Sequence, residues 1–265
     1  MAAFVTICAT LLTAYTVPRL FGSDGKPATP AAATSPSPSP EPAQVVEPVP
    51  AQSHLQETPV AYQVDRIPMT GPYGTQKGTG SQAVALTFDD GPDPTWTPRI
   101  LAVLREYRIK ATFCVIGVHA RDHPDLIRAI VQDGHSLCNH SWDHNLYLGQ
   151  ASWEELQRNL ERTNAAIRHA VPDAEINYFR QPGGNWTQRS VSVARAMGMS
   201  PLHWSVDPQD WRKPPASAIS HTVVNQTHPG AVVLLHDGGG DRSATYQAVQ
   251  DFLPVLRERF WLVAL

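Results

Sequence analysis

Apolar positions beyond about residue 80 follow two different periods in alternation. Short continuous apolar runs predict seven strands, and segments with apolar residues three or four positions apart predict the helices between them. The strands are expected at 83–88, 111–116, 136–138, 177–180, 202–206, 231–235 and 261–263. The first helix is expected to be capped by Thr97, and the others to occupy 124–133, 152–170, 187–197, 216–227 and 245–259.

Strands that alternate with helices predict parallel βα units, which either close into a barrel or lie open as a doubly wound sheet. Polar residues favour the barrel, because they follow several separate strands instead of gathering at one switch point. They come after five of the strands: Asp89, Asp90, His140, His144, Arg180, Asp207, Asp210, His236 and Asp237. We therefore expect a barrel of seven units with its active site at the carboxyl ends of the strands.

The chain before this region changes character twice. Residues 1–21 begin with a long uncharged apolar run and are interpreted as a signal anchor or a cleaved signal peptide, which both remain open. An anchor would hold the protein to a membrane through residues 1–20. Residues 22–79 are rich in Pro, Ser and Ala and predict a linker, so the catalytic domain is expected at 80–265. This organisation favours an extracytoplasmic protein, either membrane-anchored or secreted to the cell wall.

Composition excludes one class of partner and leaves one covalent question open. The formal net charge is −3, with 42% hydrophobic and 17% charged residues, so a sizeable core can form. No basic stripe indicates nucleic-acid binding. Cys114 and Cys138 lie on the second and third predicted strands, where an extracytoplasmic location would permit a disulfide; two buried free thiols are the alternative. Cys8 lies in the apolar leader.

Two histidines and two aspartates form the strongest candidate for chemistry. His140 and His144 are four residues apart, a spacing that on a helical turn directs both imidazoles at one cation. Asp89 and Asp90 end the first strand, where adjacent carboxylates are costly to hold together without a cation or a proton between them. One can bind a metal while the other acts as a base. Two imidazoles and one carboxylate suit Zn²⁺, with Co²⁺ or Ni²⁺ able to replace it.

Five short motifs stand in order along the catalytic region. They are Thr87-Phe88-Asp89-Asp90-Gly91-Pro92, His140-Ser141-Trp142-Asp143-His144, Arg180-Gln181-Pro182-Gly183, Asp207-Pro208-Gln209-Asp210-Trp211 and Leu234-Leu235-His236-Asp237. Together they resemble the motifs of the NodB-homology polysaccharide deacetylases, carbohydrate esterase family 4, over about 82–265. The resemblance implies a distorted (β/α)7 barrel that removes acetyl groups from chitin, chitin oligomers, peptidoglycan or xylan.

The resemblance also implies which residues hold the metal and which move protons. The implied roles are metal ligands for Asp90, His140 and His144, general base for Asp89 positioned by Arg180, and general acid for His236 oriented by Asp210. The other histidines, His119 among them, are expected to be ordinary surface or loop residues.

The acetyl pocket is the part where this chain departs from the family pattern. Trp211 and Leu234 would wall the pocket for the methyl group. Many members carry Tyr where this chain has Gly183, whose backbone N–H would help to form the oxyanion hole. Glycine keeps that N–H but loses the sugar contacts of the ring, and Trp186 is expected to substitute in part as a stacking surface.

The predicted activity is metal-dependent hydrolysis of N-acetyl groups on N-acetylglucosamine polymers, with release of acetate. The leader and linker favour peptidoglycan as the substrate, then chitin oligomers, then O-acetylated xylan.

A second hypothesis is a catalytically silent glycan-binding module with a cleft lined by Trp142, Trp186 and Trp211. A binder, however, has no use for a base, an acid and a metal set arranged together. A third hypothesis is a hydrolase of a small amide, which a closed pocket instead of an open groove would indicate. The sequence leaves the oligomeric state open.

Overall fold

Seven parallel strands form one sheet in the computed structural model, which describes residues 69–265. The predicted leader at 1–21, Cys8 and most of the predicted linker lie outside the described residues. The strands are β1 Val84–Asp89, β2 Thr112–Val115, β3 Ser136–Asn139, β4 Tyr178–Phe179, β5 Ser200–Pro201, β6 Val232–His236 and β7 Leu262–Val263.

The sheet curls so that the segment beyond one edge strand reaches the other edge strand. Its order is β5-β4-β3-β2-β1-β6, and β7 pairs with the start of β1. The chain beyond β5 returns to β6, where Val206 bridges Val233 and the Leu234 N–H donates to the Val206 carbonyl at 2.9 Å. A single bridge at this junction makes the barrel a distorted one, and the predicted (β/α)7 fold is confirmed.

The fifth strand is shorter than predicted and displaced along the chain. The sequence places it at 202–206, whereas the sheet pairing with β4 falls at Ser200–Pro201. The strand β4 has only two residues, so the pairing of the fifth strand with it is equally short. Gln76 forms a parallel bridge with Leu202, and its carbonyl accepts the His203 N–H at 2.7 Å.

Seven helices pack around the described barrel. They are α1 Thr97–Tyr107, α2 Gly117–Asp122, α3 Pro124–Gln132, α4 Trp153–Ala170, α5 Gln188–Ala196, α6 Ala216–Gln226 and α7 Ser243–Arg259. The capping box of Ser152 and Glu155 begins α4, because each side chain accepts the other residue's backbone N–H. Thr97 was predicted to cap α1, but its hydroxyl is hydrogen-bonded to other partners and does not cap the helix. The helix α2 was not predicted. Between residues 69 and 265, no helix has both the length and the apolar character needed to cross a membrane.

The last part of the predicted linker belongs to the folded domain. Thr70 bridges Gln76, and Gly78 bridges Ala231 at the start of β6. The Thr79 N–H also donates to the Gly230 carbonyl at 2.9 Å. The predicted boundary at residue 80 therefore falls inside packed structure, because backbone pairing of this segment leaves no hydrophobic pattern in the sequence.

The register of the strands brings the polar residues to one end of the barrel. Asp89 at the end of β1 pairs in register with His236 at the end of β6. On the other side of the barrel, Asn139 of β3 pairs with Phe179 of β4, so that His140 and Arg180 follow at the same level. The larger core lies between the outer face of the sheet and the helices, and a smaller cluster lies inside the barrel.

A disulfide joins Cys114 of β2 to Cys138 of β3 inside the barrel. The two residues are directly paired across neighbouring strands and are fully buried. Of the two alternatives left open by the sequence, the bridge is the one that the structure contains.

We expect reduction of the Cys114–Cys138 bridge to destabilise the domain. The bridge closes a loop of 24 residues, and the entropy that such a loop removes from the unfolded chain is worth about 3 kcal/mol. Urea unfolding of the wild type with and without reductant measures the effect as a shift of the midpoint. The double variant Cys114→Ala/Cys138→Ala is the control, since its midpoint should not respond to reductant. Identical wild-type curves under both conditions would contradict a contribution from this bridge.

Candidate metal centre and active site

Asp90, His140 and His144 converge at the carboxyl ends of β1 and β3. One ligand atom from each lies within 4.8 Å of the others. The Asp90 Oδ1 atom is 3.4 Å from His140 Nε2 and 3.3 Å from His144 Nε2. The His140 Nδ1–H donates to the Arg180 carbonyl at 2.8 Å, which fixes the ring and turns its Nε2 lone pair towards the aspartate.

This donor set fits a divalent cation. Donor atoms about 2.0–2.1 Å from a tetrahedral cation are about 3.3–3.4 Å apart, which is the separation observed around Asp90 Oδ1. Within the described residues, that oxygen is buried and has no hydrogen-bond partner. A buried carboxylate oxygen without a partner is costly, and a cation would remove this cost.

The two histidines meet through a loop and not through the predicted helical turn. Ser141 and His144 both adopt left-handed backbone conformations, with φ of 68° and 55°. The ring centroids of His140 and His144 are 5.0 Å apart. The sequence spacing therefore predicted the correct pair of histidines but the wrong backbone conformation between them.

Asp89 is held by a buried arginine on the neighbouring wall of the site. Arg180 is fully buried, and its Nη1 donates to Asp89 Oδ1 at 2.6 Å and to Thr87 Oγ1 at 2.8 Å. The remaining donors of Arg180 reach the carbonyls of Leu202 and His203 at 3.3 and 3.4 Å. The predicted positioning contact from Arg180 to Asp89 is present, and it leaves Asp89 Oδ2 directed at the metal ligands, 3.6 Å from His140 Nε2.

His236 is the last residue of β6, and Asp210 fixes the orientation of its ring. The His236 Nδ1–H donates to Asp210 Oδ1 at 2.7 Å, and the His236 backbone N–H donates to Asp210 Oδ2 at 2.9 Å. The Thr245 hydroxyl donates to the same Oδ2 at 2.8 Å. These bonds leave His236 Nε2 as the ring atom available to the cleft that His236 lines.

Burial and neighbouring charges shift the pKa values of three residues in the site. Burial opposes a charge on His236, but Asp210 outweighs burial and raises the pKa of the imidazole to about 9. Burial also opposes ionisation of Asp90, yet the neighbouring rings of His140, His236 and His144 lower its pKa below the usual range. Burial and the neighbouring His140 lower the pKa of His144, which favours a neutral ring able to bind a cation.

We expect Asp210→Asn to move the alkaline limb of the pH–rate profile to lower pH. His236 can donate a proton only while it is protonated, so activity should fall as pH rises through its raised pKa of about 9. Loss of the adjacent carboxylate charge should lower that pKa by about 1–3 units. Measuring kcat/KM against pH tests this, with Asp251→Asn on the exposed face of α7 as a control. An alkaline limb that stays in place in Asp210→Asn would remove His236 from the role of acid.

A cleft of about 590 Å³ opens over these residues, a size typical of ligand sites. Trp211 and Leu234 line it, as expected for the walls of an acetyl pocket. Gly183 also lines it, with a left-handed φ of 60°. Among residues 69–265, the Gly183 backbone N–H has no hydrogen-bond acceptor, so it remains available to a ligand oxygen.

Two of the tryptophans expected along the cleft lie elsewhere. Trp142 is buried under Arg162, whose guanidinium carbon is 3.6 Å from the ring centroid. Trp186 is buried edge-on against Phe179, so it cannot serve as the predicted stacking surface. An indole that lines the cleft beside Gly184 belongs to Trp204, which the sequence did not single out.

Sequence reasoning also misses the contacts that hold the Asp90 loop. The His119 Nδ1–H donates to the Asp90 carbonyl at 2.9 Å, so this histidine is not the ordinary surface residue that was expected. Asp237 is fully buried against the same loop and accepts the Thr97 hydroxyl at 2.5 Å. Burial and the nearby carboxylates raise the pKa of Asp237 to about 7. No spacing rule connects these residues, because they meet only after the barrel closes.

The fold and the site together define a class of protein: a barrel hydrolase with paired proton-transfer groups around a candidate metal centre. Residues 76–202 match the polysaccharide deacetylase family. The chain belongs to this family. Several solved structures that it resembles are described as family 4 carbohydrate esterases (CE4).

Relatives in the family act on two kinds of glycan. The chain is 38% identical over 198 residues to a chitooligosaccharide deacetylase of Sinorhizobium fredii. The aligned region covers 71% of this chain and 92% of the relative. The chain is also 38% identical over 178 residues to a peptidoglycan-N-acetylglucosamine deacetylase of Bacillus cereus, with 66% of this chain and 82% of the relative covered.

Solved structures give the same fold. The Bc1960 peptidoglycan N-acetylglucosamine deacetylase matches with a TM-score of 0.67 and 30% identity, over 74% of this chain and 89% of that one. A CE4 family pseudoenzyme of Bacillus anthracis matches with a TM-score of 0.65 and 27% identity, over 70% of this chain and 64% of that one. The fold is thus shared by active enzymes and by at least one protein described as a pseudoenzyme.

Proposed function

We propose that this protein removes N-acetyl groups from N-acetylglucosamine units of peptidoglycan with the help of a divalent cation, Zn²⁺ in the first place. The observation that carries the proposal is the meeting of Asp90, His140 and His144 with a held carboxylate and a held imidazole in one cleft. The two imidazoles and the carboxylate suit Zn²⁺, and Co²⁺ or Ni²⁺ could replace it.

A divalent cation held by Asp90, His140 and His144 would polarise the acetyl carbonyl and lower the pKa of water. Asp89 then accepts the proton that water loses as it attacks, because Arg180 holds its carboxylate in place. The Gly183 N–H donates to the carbonyl oxygen as negative charge develops there. Trp211 and Leu234 enclose the methyl group and keep bulk water away from it.

His236 completes the reaction on the side of the leaving group. An amine leaves poorly from a tetrahedral carbon unless it is protonated, and His236 is charged at neutral pH because Asp210 raises its pKa to about 9. The ring donates its Nε2 proton to the amine, and the free amino sugar and acetate are released. Asp210 keeps the ring in the orientation that this transfer requires.

Peptidoglycan is the preferred substrate in this proposal, followed by chitin oligomers and O-acetylated xylan. An apolar leader and a Pro-rich linker suit an enzyme that works on the cell wall, either anchored at the membrane or secreted. Relatives named for chitooligosaccharide and for peptidoglycan both support an N-acetylglucosamine polymer. The Cys114–Cys138 disulfide supports an extracytoplasmic location, because such bridges persist in oxidising compartments.

Acetate release from purified peptidoglycan, chitotetraose and acetylated xylan tests the proposal. The expected order of kcat/KM is peptidoglycan, then chitotetraose, then xylan, with activity lost in chelator and restored by Zn²⁺. Activity on xylan alone would overturn the choice of an amide substrate. Binding of glycan without acetate release in the presence of Zn²⁺ would instead favour the silent module, for which the pseudoenzyme neighbour is the precedent.

A further inference from the structure

The indole of Trp204 forms a wall of the catalytic cleft that depends on a neighbouring glycine. A Cβ atom on Gly184 would lie 2.6 Å from Trp204 Cη2 and 3.4 Å from Cζ2 and Cζ3. Gly184 itself has a left-handed φ of 65° and lines the same cleft. Only a glycine therefore allows the six-membered ring of Trp204 to lie against this turn while part of the side chain remains exposed.

The Trp204 ring is held in one orientation before any ligand arrives. The His203 ring lies 4.1 Å from the indole, centroid to centroid, and His203 Nδ1 accepts the Trp186 Nε1–H at 3.2 Å. The guanidinium carbon of Arg180 lies 5.9 Å from the indole centroid. An aromatic surface that is already fixed costs little conformational entropy when a ligand packs against it.

A second observation on the same wall points to a polar ligand. Gln181 lines the cleft and is fully buried, yet neither Nε2 nor Oε1 has a hydrogen-bond partner within the described residues. The turn that carries Gly184 starts at this residue, because the Gly184 N–H donates to the Gln181 carbonyl at 2.9 Å. An unpaired buried amide is destabilising, so a ligand that supplies a donor and an acceptor would be favoured there.

We propose that Trp204 and Gln181 form a sugar-binding subsite, in which a pyranose ring of the substrate packs on the indole and a hydroxyl pairs with the amide. The proposal rests on the proposed function, since it needs a glycan in the cleft. A pyranose has an apolar C–H face and hydroxyls that both donate and accept, which matches an indole beside a carboxamide. The amide atoms are closed to solvent in the structure, so the side chain rotates towards the cleft when the sugar binds.

Chitotetraose binding to the full chain tests the role of Trp204. Titrations are made in the Zn²⁺-loaded Asp89→Asn background, so that the ligand is bound without turnover. We expect Trp204→Leu to raise the Kd about fivefold to tenfold, the range of a lost aromatic contact. In the otherwise wild-type chain the same change should raise KM by a similar factor and alter kcat by less than about threefold. Trp261→Phe is the matched control, because Trp261 is 79% exposed outside the cleft.

Gln181→Met tests the amide separately and distinguishes binding from structure. Methionine has a similar length but no polar atom, so the variant should unfold at the same temperature as the wild type or a higher one. Its Kd for chitotetraose should nevertheless rise about threefold to tenfold, as for a lost hydrogen bond. A purely structural role would instead lower the unfolding temperature and leave the Kd unchanged.

Unchanged Kd values in both Trp204→Leu and Gln181→Met would overturn the subsite, as would a loss confined to kcat. Failure of the underlying function has a different appearance. In that case the wild-type chain itself would neither bind chitotetraose nor release acetate from it, whereas failure of the subsite alone leaves wild-type turnover intact.

Discussion

His140→Ala is expected to abolish metal binding and acetate release together. The imidazole supplies one of three donor atoms, and its Nε2 lies 3.4 Å from Asp90 Oδ1 in the buried part of the site. Without it, Asp90 and His144 remain as a two-ligand site, which is too few for stable retention of Zn²⁺. Asp90→Ala should have the same effect, because it removes the oxygen around which both imidazoles gather. Metal content of the purified variants and acetate release from chitotetraose measure the two losses.

The control for this experiment is another histidine of the same domain. His221 lies on the exposed face of α6, so His221→Ala should keep both metal and activity. Stoichiometric Zn²⁺ in folded His140→Ala, or chelator-sensitive deacetylation by it, would show that the metal is held elsewhere.

Asp89→Asn is expected to retain the metal and lose at least about 10²-fold in kcat, the scale of general-base loss. Asparagine has nearly the shape of aspartate but cannot accept a proton from water. The side chain is buried, and its Oδ1 accepts from Arg180 Nη1 at 2.6 Å, so the change leaves a buried cation without its counter-charge. Some loss of stability should therefore accompany the loss of rate.

The comparison of metal content with rate separates this role from ligation. Wild-type Zn²⁺ content with a low kcat is the expected pattern for Asp89→Asn, in contrast to the empty site of His140→Ala. Normal deacetylation by Asp89→Asn would mean that another group is the base.

Much of the site could be predicted because residues at the carboxyl ends of parallel strands all lie at the same end of the barrel. Asp89 and His236 are far apart in the chain, but both end parallel strands, and the register sets them side by side. The contacts from Arg180 to Asp89 and from Asp210 to His236 follow the predicted pairing. Residue order along the chain is sufficient for such positions, because the fold converts it directly into spatial order.

Other features depend on backbone shape and packing, which sequence spacing does not encode. The left-handed residues between His140 and His144 replace the predicted helical turn. The sequence predicted Trp186 as a stacking surface, whereas the structure buries Trp186 against Phe179 and places Trp204 along the cleft. The contact between Thr97 and Asp237 joins the start of α1 to the residue after β6, which are far apart in the chain, so neither residue signals the other in the sequence.

A zinc-edge anomalous difference map of the crystallised, Zn²⁺-loaded domain with acetate would locate the metal directly. We expect one strong peak bonded to Asp90, His140 and His144, with acetate beside it between Asp89 and His236. A peak elsewhere in catalytically active protein, or no peak between these three side chains, would contradict this expectation.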